Sequence, residues 1–389
     1  MKLRRYSALA LALTVFAAAC SSDDSSTATP ADSSDSSTTE SASGGVADTD
    51  VVAGEVFADE RCAANEAAGT ITYLTGFDFA ATASIVDVIV AKDRGYYEEL
   101  CLDVEIQPSF STANYALIAE NDAQFSSGGS FSEVAAFATA NDAEFVVVSV
   151  EGRSAIDSLI VRPGETATIA DLEGSTIGVK GKLPPSIEAM LLQNGLAQDD
   201  DYSVVLLDGF DPEAHIAIDS IVGFPGYKSN EPGALDRAGV EFDLYDPLDY
   251  DIPGSFGVIY TSREFVDDHP TATEDFVRAT MRGLDDALTD PQGAADTAVA
   301  LVNANGNPNF LSAEGEAFRW GIDSALITAG TPDGTGYGVP DVDALQLELD
   351  SYGAIGLFGD SEIPNAAALI AADIIATVYD ASGVLIWPA

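Results

Sequence analysis

Basic residues are scarce in this chain of 389 residues. It has 16 Lys and Arg against 64 Asp and Glu, which gives a formal net charge of −48 at pH 7. A field of this sign repels phosphate backbones and anionic lipid, so the composition excludes a nucleic-acid-binding protein. The acidic residues are spread along the whole chain, which is typical of acidity that keeps a protein soluble.

The groups that most enzymes use are also missing. The two histidines, His215 and His269, have no Cys or His neighbours at the spacing of metal ligands. No G-x-S-x-G elbow and no G-x-x-x-x-G-K-[ST] loop occurs in the sequence. We therefore expect no catalytic activity, no metal and no cofactor.

Cysteine is rare, and the first of the three cysteines closes an apolar run. Lys2, Arg4 and Arg5 precede the uncharged residues 8–19, and Cys20 follows them. A basic start and an apolar run too short to span a bilayer are typical of an export signal. With a cysteine just after the cleavage site, the pattern resembles the signal of bacterial lipoproteins, although Ala17 stands where leucine is usual. The resemblance implies that residues 1–19 are a signal peptide, that Cys20 is acylated, and that the protein sits on the extracellular face of the cytoplasmic membrane. The alternative is an ordinary signal peptide with an incidental cysteine.

If Cys20 is acylated, two cysteines are left, Cys62 and Cys101. In an oxidising compartment such a pair predicts a disulfide, and two free buried thiols are the alternative. Residues 20–56 are rich in Ser, Thr and Asp without hydrophobic periodicity, which predicts a disordered tether between the anchor and the folded part. No second long apolar run follows.

From Thr70 onward, short apolar strands alternate with amphipathic helices. A helix is predicted over residues 83–92, and the residues from Thr271 onward are mainly helical in pattern. The predicted strands are Thr70–Leu74, Leu102–Ile106, Ala123–Phe125, Phe145–Val148, Ser158–Val161, Ser175–Val179, Val204–Leu207, Ser220–Phe224 and Phe256–Tyr260. This alternation predicts an α/β fold with largely parallel sheets covered on both faces. The length favours two domains.

Four segments, in order, resemble a known family. They are Ala91–Ile106 (AKDRGYYEELCLDVEI), Ala170–Val179 (ADLEGSTIGV), Gly226–Pro232 (GYKSNEP) and Ser262–Phe265 followed by His269-Pro270. Together they are similar to segments of the solute-binding proteins of ABC transporters for thiamine pyrimidine precursors, nitrate, sulfonates and taurine. Cys101 stands where that family usually has glycine, which supports a special role such as the disulfide.

The resemblance implies a type II periplasmic-binding-protein fold, with two α/β lobes joined by a two-crossing hinge and a ligand in the cleft between them. We expect lobe I to include residues 57–162, lobe II residues 163–257, and residues 258–389 to return to lobe I and form a C-terminal helical region. The crossings are predicted at Ile160–Arg162 and Val258–Tyr260. The implied partners are a small-molecule ligand and the permease subunits of an ABC importer, with a lipid anchor as the only membrane contact. A monomer is expected.

Candidate ligand-binding residues in lobe I follow predicted strands, where open α/β sheets form their crevices. Phe77 and Phe79 could stack on a planar ring while Asp78 accepts its N–H groups, or the two rings could be core residues and Asp78 a helix cap. Hydroxyl or backbone donors for an anionic or carbonyl group are offered near Phe110, Ser126, Ser127 and Gly128, although helix capping explains these positions equally well.

The second predicted lobe contributes two further groups. Lys180 and Lys182 follow a strand and could meet ligand charge or merely offset local acids, and we expect one of them to be solvated. Phe224, Tyr227, Asn230 and Glu231 form an aromatic and polar set that, by the resemblance, faces the loop of Phe77 and Asp78. Aromatic residues at this spacing are often core residues, but their place after a strand favours the pocket.

The sequence thus predicts a lipid-anchored solute-binding protein of an ABC importer. The expected ligand is a small aromatic heterocycle, either a thiamine pyrimidine precursor or a related vitamin such as riboflavin. One alternative is a small anion such as a sulfonate, taurine or nitrate. Another is a thiamine-pyrimidine-synthesising enzyme of the same fold, which is disfavoured because the cysteine cluster of those enzymes is missing.

Overall fold

The structure, a computed structural model, describes residues 50–164, 166–209, 211–307 and 311–389. The predicted signal peptide, Cys20 and most of the predicted tether lie outside these residues. At the end of the predicted tether, the Gly54 N–H donates to the Trp387 carbonyl, and the Ala389 N–H donates to the Glu55 carbonyl. The folded part therefore begins several residues before position 57, because backbone pairing with the C-terminus orders a segment whose composition is that of a linker.

Ten strands are present in the described residues, and they form two five-stranded sheets. The strands are β1 (Thr70–Leu74), β2 (Asp103–Gln107), β3 (Phe125–Gly128), β4 (Phe145–Gly152), β5 (Asp157–Val161), β6 (Thr176–Val179), β7 (Ser203–Leu206), β8 (Gly223–Tyr227), β9 (Asp243–Tyr245) and β10 (Phe256–Ser262). The first sheet has the order β2-β1-β3-β10-β4, and the second has the order β7-β6-β8-β5-β9. In each sheet one strand, β10 or β5, runs antiparallel to its neighbours. The predicted α/β fold with largely parallel sheets is confirmed.

Helices cover both sheets. They are α1 (Asp59–Glu66), α2 (Val86–Asp93), α3 (Tyr96–Glu99), α4 (Ser111–Ala119), α5 (Phe131–Asn141), α6 (Pro185–Gln193), α7 (Pro212–Ile216), α8 (Glu231–Ala238), α9 (Arg263–Asp268), α10 (Pro270–Thr289), α11 (Pro291–Asn305), α12 (Ala313–Gly330), α13 (Val342–Gly353) and α14 (Ala372–Ala376). No described helix is long and apolar enough to span a membrane.

Each sheet has its own hydrophobic core, so we call the first sheet with its helices lobe I and the second lobe II. In lobe I the Phe125 and Phe276 rings stack with centroids 3.9 Å apart, and Ile71 and Val104 pack in the same cluster. In lobe II, Ile177 and Met190 belong to a separate cluster. Every residue of β4 is buried, which explains its nearly continuous apolar sequence.

The chain crosses between the lobes at other residues than predicted. It leaves lobe I after Gly152 and enters lobe II at Asp157, and it returns between Tyr245 and Phe256. The first predicted crossing, at 160–162, instead lies at the end of β5. The second, at 258–260, lies within β10. Lobe II therefore starts at β5, before the predicted boundary at 163. A buried apolar run satisfies either sheet equally well, so the sequence pattern does not reveal which sheet it joins.

The two crossing segments touch each other at Gly254. A Cβ atom at this position would lie 2.5 Å from the backbone nitrogen of Ala155 in the other crossing. Only glycine permits this approach without displacing a crossing.

The predicted disulfide is present. Cys62 in α1 and Cys101 before β2 are bonded, with their Cα atoms 5.2 Å apart. Cys101 has a φ of +58°, a left-handed conformation that favours glycine, which explains why glycine is usual here in the family that the sequence resembles. The bond attaches α1 to the edge of lobe I.

A helix of the C-terminal region touches both lobes. In α13, Glu348 accepts a hydrogen bond from the Ser132 N–H at the start of α5 in lobe I. The Tyr352 hydroxyl of the same helix donates to the Pro253 carbonyl in the returning crossing and packs in the core of lobe II. Burial raises the pKa of Glu348, which has one carboxylate oxygen without a hydrogen-bond partner.

Candidate functional site

A cavity of about 420 Å³ lies between the lobes. Lobe I contributes Phe77 from the loop after β1 and part of α12, while lobe II contributes the start of α7 and one face of α8 from Glu231 to Arg237. A second cavity, of about 450 Å³, is lined by residues of the C-terminal region, with no residue of lobe II. We take the first as the candidate site because ligand sites of two-lobed α/β proteins form where the lobes meet.

Phe77 is the aromatic residue that lines the interlobe cavity, and with Phe110, which packs against it outside the lining, it forms what we call the aromatic wall. Phe77 packs edge-to-face against Phe110, with ring centroids 5.7 Å apart, and Phe110 is 48% exposed. The guanidinium carbon of Arg319 lies 5.7 Å from the Phe77 centroid. This wall can stack on a planar ligand, as predicted for Phe77.

Asp78, however, is engaged by the protein itself. One carboxylate oxygen accepts the Phe79 N–H at 2.8 Å, and the other accepts the Asn307 N–H at 2.6 Å. Phe79 is 4% exposed and packs in the core of lobe I. The alternative in which Asp78 caps backbone groups and Phe79 is a core residue therefore applies in this conformation.

Ser126 and Ser127 of β3 make their hydrogen bonds within the protein. Ser126 is fully buried between the Asn114 side-chain amide and the Leu74 carbonyl. The Ser127 hydroxyl lies 2.5 Å from the Ser84 hydroxyl. Gly128 is buried against Val134. These predicted donors for a ligand are thus used within lobe I.

Lys180 and Glu231 form an ion pair at the lobe II side of the cavity. Glu231 accepts the Lys180 ammonium at 2.7 Å with one oxygen and the Tyr227 N–H at 2.8 Å with the other. Glu231 is 5% exposed and lines the cavity, whereas Lys182 is exposed to solvent. One lysine therefore belongs to the site region and the other is solvated, as expected.

Tyr227 reaches from lobe II towards lobe I. It lies directly opposite Asp157 in the antiparallel pair of β5 and β8, which places both side chains on the same face. The Tyr227 hydroxyl and a carboxylate oxygen of Glu133 both lie close to Gly129 in lobe I. A Cβ atom on that glycine would stand 3.9 Å from the hydroxyl and 2.3 Å from the Glu133 oxygen. Tyr227 is 48% exposed, into the cleft between the lobes.

Carboxylates surround this tyrosine, and the cleft desolvates them. The pKa of Asp157 is raised to about 7, mainly by burial and also by the nearby Glu133, while a hydrogen bond from Ser186 opposes the shift. Burial also raises the pKa of the Tyr227 hydroxyl, with Asp157 and Glu133 adding to the effect. The cleft beside the cavity thus disfavours negative charge, and Asp157 is partly protonated near pH 7.

Phe224 does not line the cavity. It is fully buried in a small cluster of lobe II, with its ring centroid 5.5 Å from that of His215. Strands place alternate side chains on opposite faces, so Phe224 and Tyr227, three residues apart, cannot both face the cleft. The prediction that both aromatic rings form the pocket is corrected here.

The sequence did not reveal that α12 supplies Glu316 and Arg319 to the cavity. Arg319 is 6% exposed, and its side chain donates to the Asn230 side-chain oxygen of lobe II at 2.6 Å. Its Nη1 lies 3.0 Å from Glu316 Oε1 in an ion pair, and Glu316 also accepts the Ala81 N–H. The one sequence signal was an arginine in a chain poor in cations. Nothing local indicated that a helix so far along the chain reaches Asn230.

No cluster of three or more metal-ligating side chains occurs in the part of the chain that the structure describes. A buried carboxyl pair, Asp87 and Glu151, lies within lobe I, and burial raises the pKa of Asp87 to about 6. Burial raises the pKa of Glu151 well above its ordinary value, and Asp87 raises it further. Both sit behind Ser84, whose N–H donates to Glu151, and neither lines the cavity.

Comparisons with known proteins agree with this architecture. The chain is 32% identical over 138 residues to the riboflavin-binding protein RibY of Chloroflexus aurantiacus, a match to 35% of this chain and 39% of that protein. It thus matches about two fifths of the length of that relative. The alkanesulfonate-binding protein SsuA of Xanthomonas axonopodis pv. citri, bound to MOPS, is 16% identical with a TM-score of 0.55, over 82% of this chain and 98% of its own. The periplasmic nitrate-binding protein NrtA of Synechocystis PCC 6803 is 12% identical with a TM-score of 0.57, over 78% of this chain and 86% of its own.

The structural neighbours have the fold of periplasmic binding proteins, which confirms the predicted architecture. The family model described as NMT1/THI5 like matches residues 82–294, just over half of the chain. This chain therefore belongs to the NMT1/THI5-like family.

Proposed function

We propose that this protein is the extracytoplasmic solute-binding component of an ABC importer. It captures a small aromatic heterocycle, riboflavin or a thiamine pyrimidine precursor, between its lobes and delivers it to a permease. Closure of the lobes around the ligand is the hinge motion that the permease would recognise. The proposal includes no catalytic step.

The observation that carries the proposal is the interlobe cavity with its aromatic wall. Its volume of about 420 Å³ lies within the roughly 300–1,000 Å³ typical of small-molecule sites. Phe77 offers ring surface to the cavity and is supported by Phe110, and Asn230, Glu231 and Arg319 offer polar groups from both lobes. The riboflavin-binding relative adds independent support for a heterocyclic ligand.

The charges around the cavity disfavour the alternative of a small anion. Lys180 is paired with Glu231, and Arg319 is paired with Glu316. A sulfonate or nitrate would have to compete with these carboxylates for the two cations. A neutral heterocycle needs only stacking and hydrogen bonds.

Thermal-shift measurements on the purified protein test the proposal. Riboflavin and 4-amino-5-hydroxymethyl-2-methylpyrimidine represent the proposed class, while taurine, an alkanesulfonate and nitrate represent the anions. A ligand present at 100 times its Kd stabilises the protein by about 2.7 kcal/mol, which raises Tm by several degrees. A shift with anions and none with heterocycles would overturn the proposal.

The variant Phe110→Ala, with Leu248→Ala as its matched control, locates the binding. Both side chains are about half exposed, at 48% and 50%, so truncation of either has a small effect on stability. Neither side chain lines the cavity, but Phe110 packs against Phe77, which does, so only Phe110→Ala is expected to weaken heterocycle binding. Equal effects of the two variants would count against the aromatic wall as the binding surface.

We further propose that Cys20 carries a lipid and that residues 21–49 tether the body to the outer face of the cytoplasmic membrane. The support is the sequence pattern around Cys20. Metabolic labelling with an alkyne-tagged fatty acid is expected to mark the wild type and not Cys20→Ala, which should appear in the culture medium. A Cys20→Ala protein that stays in the membrane fraction would contradict this anchor.

A further inference from the structure

The two lobes touch where α12 of lobe I packs on α8 of lobe II. Gly233 in α8 is buried, and a Cβ atom on it would lie 2.4 Å from the nearest atom of the Phe318 ring in α12. Because glycine has no side chain, the ring lies directly against the α8 backbone. Arg237, one turn further along α8, places its guanidinium carbon 5.9 Å from the centre of the same ring.

The next residue of α12 adds a hydrogen bond to this contact. Arg319 Nη2 donates to Asn230 Oδ1 at 2.6 Å, from one lobe to the other. The contact thus combines an aromatic ring seated on a glycine with a hydrogen bond. Both parts use groups of the protein alone, so the contact needs no ligand in order to form.

Along α12, this contact lies far from the crossing segments. Gly330, the last residue of the helix, is close to the first crossing, since a Cβ atom on it would lie 3.5 Å from Arg153 Cβ. Phe318 lies about 18 Å from Gly330 along the same helix, at ~1.5 Å per residue. A rotation of the lobes about the crossings would therefore lift Phe318 off Gly233 while Gly330 stays near the crossing.

The same two helices line the interlobe cavity. The lining residues that they supply are Glu231, Ala234 and Arg237 from α8 and Gly315, Glu316 and Arg319 from α12. Contact between α8 and α12 closes this side of the cavity, and their separation opens it to solvent.

We propose that Phe318, seated on Gly233, is a latch that holds the lobes closed over the cavity and sets the rate at which a ligand leaves. The effect on ligand release rests on the proposed function, because the latch acts on the same cavity. Phe318 is a positioning residue, since it does not line the cavity and acts through the distance between the lobes. The latched form is populated before a ligand binds.

Release kinetics of Phe318→Ala test the latch. Phe318 is partly exposed and alanine favours helices, so α12 should stay folded. Release of riboflavin or of 4-amino-5-hydroxymethyl-2-methylpyrimidine, whichever binds, is measured by stopped-flow displacement. We expect release about tenfold faster than in the wild type and a Kd weaker by a similar factor, because a smaller closed population lowers the apparent affinity. An unchanged release rate would overturn the inference.

Gly233→Ala tests the other side of the contact. Its Cβ atom would displace the Phe318 ring, so release should accelerate as in Phe318→Ala. Gly321→Ala is the control for a methyl group added to a helix, since nothing lies near that position. Phe137→Ala is the control for loss of a partly exposed ring, because Phe137 packs within lobe I. Both controls should keep the wild-type release rate, even where their Tm changes, and equal acceleration in the controls would overturn the inference.

Small-angle X-ray scattering of the ligand-free protein tests the latch without any ligand. Phe318→Ala and Gly233→Ala should have a larger radius of gyration than the wild type, whereas Gly321→Ala and Phe137→Ala should not. Radii of both latch variants equal to the wild-type radius would overturn the inference, whether or not a heterocycle binds. If one latch variant does not fold, as judged by its circular dichroism spectrum, the other decides. Larger radii together with no heterocycle binding to the wild type would support the latch and contradict the proposed ligand class.

Discussion

Asp275 is expected to contribute a large part of the stability of lobe I. It is fully buried in α10 and accepts hydrogen bonds from Arg61 Nε at 2.6 Å, Arg61 Nη2 at 3.0 Å, Asn65 Nδ2 at 2.8 Å and Arg278 Nε at 3.2 Å. Two buried guanidinium groups, at 2% and 1% exposure, thus share one carboxylate. This cluster fastens α1 to α10, next to the disulfide.

Asp275→Asn keeps the shape of the side chain and removes its charge. Removing one partner of a buried ion pair costs about 3–5 kcal/mol, because the other charge stays buried. Two observations limit the loss: Arg61 retains Glu274 at 2.7 Å, and Arg278 still donates to the Thr377 and Ile386 carbonyls. We therefore expect a loss near the lower end of that range, about 3 kcal/mol.

Urea denaturation of the oxidised protein, followed by circular dichroism, measures the change in the free energy of unfolding. Glu274→Gln is the matched control, since Glu274 binds the same Arg61 from a position that is 20% exposed and should contribute about 1 kcal/mol or less. A loss below about 1 kcal/mol for Asp275→Asn, or equal losses for the two variants, would refute the argument from burial.

Three further predictions follow from the fold and the cleft. Because the pKa of Asp157 is raised from its ordinary 3.8 to about 7, the folded state binds this proton more tightly than the unfolded state, and stability should fall as pH rises from about 4 to about 7. Asp157→Asn should flatten that part of the profile in urea denaturations between pH 4 and 8, and an unchanged slope would contradict the assignment. Replacing Cys62 and Cys101 by serine should cost about 4 kcal/mol for a closed loop of this length, measured as a lower urea midpoint, and an unaltered midpoint would show that the bond adds no stability. Gly254→Ala should lower Tm because its Cβ meets a backbone atom of the other crossing, whereas Gly321→Ala in the open interior of α12 should raise Tm; the opposite order would contradict the packing of the crossings.

The secondary structure was predictable because its signals are local. The run Thr70–Leu74 forms a strand with the predicted bounds, and the run Ser220–Phe224 forms one displaced to Gly223–Tyr227. The lobe to which a strand belongs is not a local property. Residues 158–161 form a strand as predicted, and Leu159, Ile160 and Val161 are apolar and buried, yet the strand pairs with β8 and β9 of lobe II, because a buried apolar strand fits either sheet.

The candidate site was predictable in part. Phe77, Asn230 and Glu231 line the cavity as expected, since loops after strands meet between the lobes. The role of Asp78 was not predictable, because a carboxylate after a strand can bind either a ligand or a backbone group. The backbone N–H that it binds belongs to Asn307, which is distant in sequence. Arg319 was missed for a similar reason, since its partner Asn230 lies in another lobe and far away in sequence.

The cavity between the lobes is the proposed binding site for a heteroaromatic ligand. Isothermal titration calorimetry of the purified wild-type protein with riboflavin and with 4-amino-5-hydroxymethyl-2-methylpyrimidine, repeated with Phe77→Ala, tests it most directly. We expect saturable binding of one of them at one molecule per chain in the wild type. Binding should be at least about tenfold weaker in Phe77→Ala, because one stacking ring contributes about 0.5–1.5 kcal/mol beyond the area that it buries. Saturable binding that is unaffected by Phe77→Ala, or no binding of either heterocycle, would contradict the claim.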